Sequence, residues 1–180
     1  MGKQIALLRA VNVGKRQVPM GRLRELMGAE GFSEVATYLQ SGNVFFGDGG
    51  RSAAENGGRL EKLLLEEFGF AVEVVMRSTA QLDAVIAANP LPARVADSKR
   101  YVVTFFGDGQ APDAAVLAGL KAEDFEPDEF AFLGHELYSW SPNGVHTSKF
   151  TQQFLNRKLG VQVATARNWN TVLKLRELAG

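Results

Sequence analysis

Two stretches of the chain gather side chains suited to holding an anion. In the first, Arg9, Asn12 and Lys15 follow a short apolar run, and Gln40, Ser41 and Asn43 lie around a second turn. A guanidinium, an ammonium and several amides can grip a phosphate or carboxylate through charge-assisted hydrogen bonds while reading neighbouring polar groups. In the second, Asn143, Ser148 and Lys149 fall within SPNGVHTSK, and Arg167, Asn168 and Asn170 fall within TARNWNT. Both segments lead into amphipathic stretches, so two helix N-termini with free N–H groups are expected to approach one another beside Lys149 and Arg167. The plainer reading is that Asn12, Ser41 and Asn43 are turn residues and that Ser148, Asn168 and Asn170 cap their own helices.

Catalytic chemistry has little to draw on. There is no cysteine and there are two histidines. This excludes thiolate nucleophiles, disulfides and thiolate metal sites, and the histidines lack metal-ligand spacing. No phosphate-binding G-x-x-x-x-G-K-[ST] loop, dinucleotide G-x-G-x-x-G, zinc H-E-x-x-H or nucleophile-elbow G-x-S-x-G occurs. His146 is the histidine near the polar cluster, and His135 falls at an expected hairpin tip. With no carboxylate in place to orient His146, and only the hydroxyls of Ser41, Thr147, Ser148 and Thr171 as other candidates, no catalytic residue is assigned. No metal, flavin or haem is expected.

The formal net charge is zero, yet it is unevenly spread. Lys3, Arg9, Lys15, Arg16, Arg22 and Arg24 stand without an acid in residues 1–24, a net of +6; residues 146–180 carry +5, and the middle −11. A generic basic nucleic-acid binder would not be neutral overall. A basic site drawn from both ends of the chain is the sharper alternative to an ordinary solvated surface. No stretch approaches the ~20 apolar residues of a membrane helix. The N-terminus lacks the apolar core of an export signal because Arg9 interrupts it. A cytoplasmic protein with no membrane partner is expected.

The elements that must position these residues follow from periodicity. Ile5 to Val11 reads as a buried strand, apolar on both faces and needing cover on both. Pro19 opens a helix carrying Leu23, Leu26 and Met27. Val35 to Gln40 and Asn43 to Phe46 form a hairpin through Ser41-Gly42, and GDGGRSAAENGG reads as a flexible connection. Leu60, Leu63, Leu64 and Phe68 make a helical stripe before a strand at Val72 to Met76. Ser78 is an N-cap candidate for a linking helix with Leu82, Val85 and Ile86. The same order then returns: strand Tyr101 to Phe106, helix Pro112 to Leu120, strands Phe130 to Leu133 and Leu137 to Trp140, helix Ser148 to Leu159, strand Val161 to Ala164, and a last helix from Asn170 to Leu178.

The expected fold is therefore α+β, with two ferredoxin-like βαββαβ halves in tandem at residues 1–77 and 100–180. A linking helix and loop at 78–99 joins them, and a C-terminal helix closes the chain. In such a half the first two strands are parallel, which places Arg9, Asn12 and Lys15 near Gln40, Ser41 and Asn43. The order also suits RNA-recognition modules, but only the third strand, with Phe45 and Phe46, offers aromatic residues for stacking. Trp140 and Trp169 flank the second cluster and suit either stacking or a core.

The segments IALLRAVNVG, TYLQSGNVFF, SPNGVHTSK and ATARNWNTVLKL, in this order, resemble a widespread bacterial family, domain of unknown function 1697. The resemblance covers essentially the whole chain. It implies an α/β architecture of the kind derived above and carries no activity or residue role with it. The function read from the residues is binding of an anionic, nucleotide-like or phosphorylated small molecule. An enzyme acting on such a ligand and a nucleic-acid-binding module are the alternatives.

Overall fold

The computed structural model describes residues 2–180. The chain divides into two compact units, Met1–Asp83 with Leu175–Gly180, and Ala84–Lys174. The fold class is α+β, each unit holding one four-stranded antiparallel sheet.

The first unit runs β1 (Lys3–Leu8), α1 (Met20–Ala29), β2 (Ser33–Tyr38), β3 (Asn43–Gly47), α2 (Ala53–Phe68) and β4 (Val74–Ser78), and then enters α3 (Thr79–Ala87). Its sheet order is β2-β3-β1-β4. Both β1 and β2 pair antiparallel with β3, so they run parallel to each other, and Leu7 and Tyr38 both lie opposite Asn43. Ala6, Leu8, Val44, Phe46 and Met76 face Leu23, Met27, Leu60 and Leu64 of α1 and α2 in one core. Ile5, Leu7, Phe45 and Val75 on the other face are buried as well, as a strand apolar on both sides requires.

The glycine-containing stretch expected to be a flexible connection is helical from Ala53 onward. Local chemistry overrides its composition. Ser52 accepts from the Glu55 amide while the Glu55 carboxylate accepts from the Ser52 amide, a reciprocal capping box. Asn56 is buried and donates to Gln4 Oε1 and the Asp48 carbonyl. Gly57 leaves room for Met76, whose Cγ would lie 3.1 Å from an added Cβ.

The second unit runs from the end of α3 through a 3-10 turn at Pro92–Asp97 to β5 (Tyr101–Phe106), α4 (Ala114–Ala118), a 3-10 turn at Ala122–Phe125, β6 (Glu129–Leu133), β7 (Glu136–Trp140), a 3-10 turn at Val145–Thr147, α5 (Gln152–Leu159), β8 (Ala164–Asn168) and the start of α6 (Trp169–Ala179). The order β6-β7-β5-β8 repeats that of the first sheet. Phe106, Leu137 and Ala164 pack with Leu155 and Leu159 of α5, and five further phenylalanines join that core from its edge. On the other face the Tyr138 hydroxyl donates to the Val85 carbonyl of α3, and Tyr101 stacks on Trp169 at 5.1 Å.

Several boundaries differ from the sequence reading: the first strand ends at Leu8 and not at Val11, the second runs Ser33–Tyr38 in place of the expected Val35 to Gln40, and α4 is confined to Ala114–Ala118 within the expected Pro112 to Leu120. The helix expected from Ser148 starts at Gln152, because Thr151 is the residue whose side chain accepts from the Phe154 amide. Strands expected at Val72 to Met76 and Val161 to Ala164 begin two or three residues later. At the second, Gln110 Oε1 accepts from the amides of Gln162 and Val163 and holds them out of the ladder until Ala164.

Candidate functional site

At the edge where β1 and β2 end, the polar side chains are largely tied to the protein itself. Asn12 accepts from the Val18 amide and donates to the Val18 and Gln40 carbonyls, so its amide closes the loop after β1 onto the loop after β2. Asn43 is fully buried and donates to the Tyr38 carbonyl and Ser41 Oγ. Arg9 does not turn to this cluster. Its backbone bonds to Glu73 beside β4 and its guanidinium pairs with the Glu73 carboxylate. Lys15, Gln40 and Ser41 are exposed. Asn12 stays beside Gln40, as parallel β1 and β2 require, while Arg9 turns to the β4 side of β1.

The second cluster is also rearranged. Arg167, expected in a loop at a helix N-terminus, lies within β8 opposite Val103 and is 7% exposed. It donates to Thr165 Oγ1 and the Ala166 carbonyl, and burial pushes its pKa down to about 10. Asn168 caps α6 by accepting from the Thr171 amide, and Asn170 is exposed in that helix's first turn. Asn143 is exposed in the turn after β7. Ser148 precedes α5 and accepts from the Phe150 amide. Lys149 reaches the Asp124 carbonyl and stands over the Phe125 ring, 6.0 Å from its centroid.

Aromatic surfaces for stacking are not offered by the residues singled out in the sequence. Phe45 and Phe46 are 3% and 0% exposed. Trp169 is buried on Tyr101, and Trp140 donates to Asp97 with the Arg94 guanidinium 3.9 Å over its ring.

Lys149 leads instead to a groove of about 780 Å³ between α4 and α5. Its floor is Val116 and Leu120 from the α4 side, Phe125 from the 3-10 turn, and Phe154 of α5. Phe125 is packed among other rings, lying parallel to Phe150 at 4.7 Å with Phe154 edge-on at 5.8 Å. Lys149, Arg157 and Lys158 stand along the rim against one acid, Asp124, a net of +2. Phe154, Arg157 and Lys158 share a face of α5 because they are three and four residues apart.

Arg157 and Lys158 are exposed and pair with no acid among the described residues. Other arginines are committed: Arg9 to Glu73, Arg22 to Glu67, Arg94 to Glu129, and Arg176 to Asp83. The sequence reading missed Arg157 and Lys158 as site residues. The signal was present in the basic C-terminal stretch, but only the fold places those two cations beside Phe125. Among the described residues no three His, Asp or Glu side chains converge to hold a metal ion, and no helix is long and apolar enough to cross a membrane.

A family model described as "Protein of unknown function (DUF1697)" matches residues 1–138, and the chain belongs to that family. The matched segment includes all of the first unit up to Asp83 and ends within β7, before the groove's α5. Among solved structures, the conserved bacterial protein SP0830 from Streptococcus pneumoniae is similar, with a TM-score of 0.76 and 22% identity over 99% of each chain. That likeness extends the shared fold over the whole chain. No curated protein matches.

Proposed function

We propose that this protein binds a small anionic molecule in the groove between α4 and α5. The supporting observation is that Arg157 and Lys158 flank an apolar floor without an acidic partner. An anion placed there gains charge-assisted hydrogen bonds, each worth about 1.5 to 3 kcal/mol where water is partly excluded. Lys149 at the same rim adds field, although its ammonium already donates to the Asp124 carbonyl. No histidine and no second carboxylate stands with Asp124 in the lining of the groove, and Lys149 beside it is tied to the Asp124 carbonyl, so binding is favoured over turnover.

We also read each unit as ferredoxin-like. The order β2-β3-β1-β4, its repetition as β6-β7-β5-β8, and helices α1 and α2 packed on one face of the first sheet support that reading. In it, the groove lies on the helical side of the second sheet, formed by the two helices that connect its strands.

Phenyl phosphate titrated against the full chain, with backbone amide shifts followed by NMR, tests the binding site. Saturable shifts should appear at Thr151 to Leu159, and the double variant Arg157→Gln/Lys158→Gln should bind at least about tenfold more weakly, the loss of one such hydrogen bond. Unchanged affinity in that variant, with its fold intact by circular dichroism, would refute the proposal.

A further inference from the structure

Resting on that binding reading, we infer that the ligand is a monoanion with an apolar, chain-like body, a medium-length acyl carboxylate, and not a nucleotide. Three observations lead to it. First, the floor formed by Val116, Leu120, Phe125 and Phe154 offers apolar side chains where a base edge or ribose would need donors and acceptors. Polar groups pressed against it would lose water without gaining partners. Of the neutral polar side chains lining the groove, Thr151 already accepts from the Phe154 amide and Gln153 is exposed to water.

Second, the Phe125 ring, 6% exposed, is closed to stacking. Phe125 lies flat on Phe150, meets Phe130 and Phe154 edge-on, and has the Lys149 ammonium over its ring. A base needs an open π face, whereas an acyl chain needs only apolar contact with ring edges and the branched side chains of α4.

Third, the cations available to a ligand amount to one head group's worth. Lys149 is engaged with the Asp124 carbonyl, which leaves the adjacent Arg157 and Lys158 at the far end of α5. The guanidinium can take both oxygens of one carboxylate in parallel, with the ammonium beside it. From Thr151 to Lys158 the helix rises about 10 Å, which sets the length of the apolar body. In this arrangement the carboxylate sits at Arg157 and Lys158 and the chain runs back along Phe154 toward Phe125.

The test compares sodium decanoate with adenosine monophosphate by isothermal titration on the full chain, below the micelle-forming range of decanoate. Decanoate should bind at one site, and the monophosphate at least about tenfold more weakly. Val116→Asp should also weaken decanoate about tenfold or more, since Val116 is 41% exposed and the new carboxylate would face the ligand without disturbing the core. If the monophosphate binds as tightly as decanoate or tighter, the acyl assignment is overturned while anion binding in the groove stands. If decanoate binds but Val116→Asp leaves it unchanged, the assignment to this groove is overturned. The source of the chain is separated by phosphatidylglycerol vesicles: co-sedimentation with them in the absence of decanoate binding overturns a free acyl ligand. If neither decanoate nor phenyl phosphate binds, both readings fall.

Discussion

Gly42, in the turn between β2 and β3, is a position where an added methyl group should destabilise the fold markedly. Its φ is +86°, and an added Cβ would stand 2.7 Å from Leu8 Cβ and 2.8 Å from Val11 Cγ2. Both neighbours are core residues, 0% and 4% exposed. Forcing an alanine into left-handed backbone costs about 1 to 2 kcal/mol, and overpacking a close-packed core costs about 1 to 3 kcal/mol. The reduced freedom of the unfolded chain returns about 0.4 to 1 kcal/mol. Gly42→Ala is therefore expected to lose about 2 to 4 kcal/mol. Gly14→Ala is the matched control, because Gly14 also has a positive φ, +56°, but nothing lies within 4 Å of its added Cβ. Its loss should stay near 1 kcal/mol or below, from the backbone alone. Urea unfolding measures both variants, with m-values checking that the transitions are comparable. Hydrogen exchange at the Leu8 amide, which donates to the Gly42 carbonyl at 2.8 Å, reads the site directly. A Gly42→Ala protein within 0.5 kcal/mol of the wild type, or a Gly14→Ala protein that loses as much, would refute the argument.

Arg167→Ala should act on stability and not on the groove: the hydrogen bonds to Thr165 Oγ1 and the Ala166 carbonyl are lost and a void is left, partly offset by relief of the buried charge, so a loss of about 1 to 3 kcal/mol is expected in thermal or urea unfolding, while phenyl phosphate affinity at α5 stays within twofold. The Glu55 carboxyl is held below its usual range by the hydrogen bond from the Ser52 side chain, then by the Ser52 amide. A depressed folded-state pKa contributes stability above the unfolded carboxylate pKa and loses it as pH falls through the folded value. Glu55→Gln should thus be less stable than wild type at neutral pH, with the gap closing on acidification below about pH 4.3, the unperturbed glutamate pKa; a gap that widens in acid would contradict the sign.

How much of this was legible beforehand differs by level. Ile5 to Leu8, the Leu60, Leu63 and Leu64 stripe, and the Tyr101 to Phe106 run carry their periodicity in the chain itself, because side-chain direction along one element depends only on its own geometry. The order of elements and the parallel setting of β1 and β2 followed from that, and the four motifs pointed to the family that the chain belongs to. The capping box at Ser52 and Glu55 was also written in the local sequence, but the neighbouring glycines obscured it.

The fate of each polar residue was decided elsewhere. Arg167 and Arg157 look alike in sequence, ten residues apart in a basic stretch. One pairs into a sheet opposite Val103 and is buried, and the other ends on an open rim. Asn12 looked like a ligand group and is a staple between two loops, because the acceptor it needed, the Gln40 carbonyl, lies 28 residues away. The groove floor likewise joins Leu120 and Phe125 to Phe154, brought together when α4 and α5 pack on one sheet. Local sequence sets what a side chain can donate or bury; whether a partner already stands within reach is settled by segments distant along the chain, and only the tertiary structure brings those together.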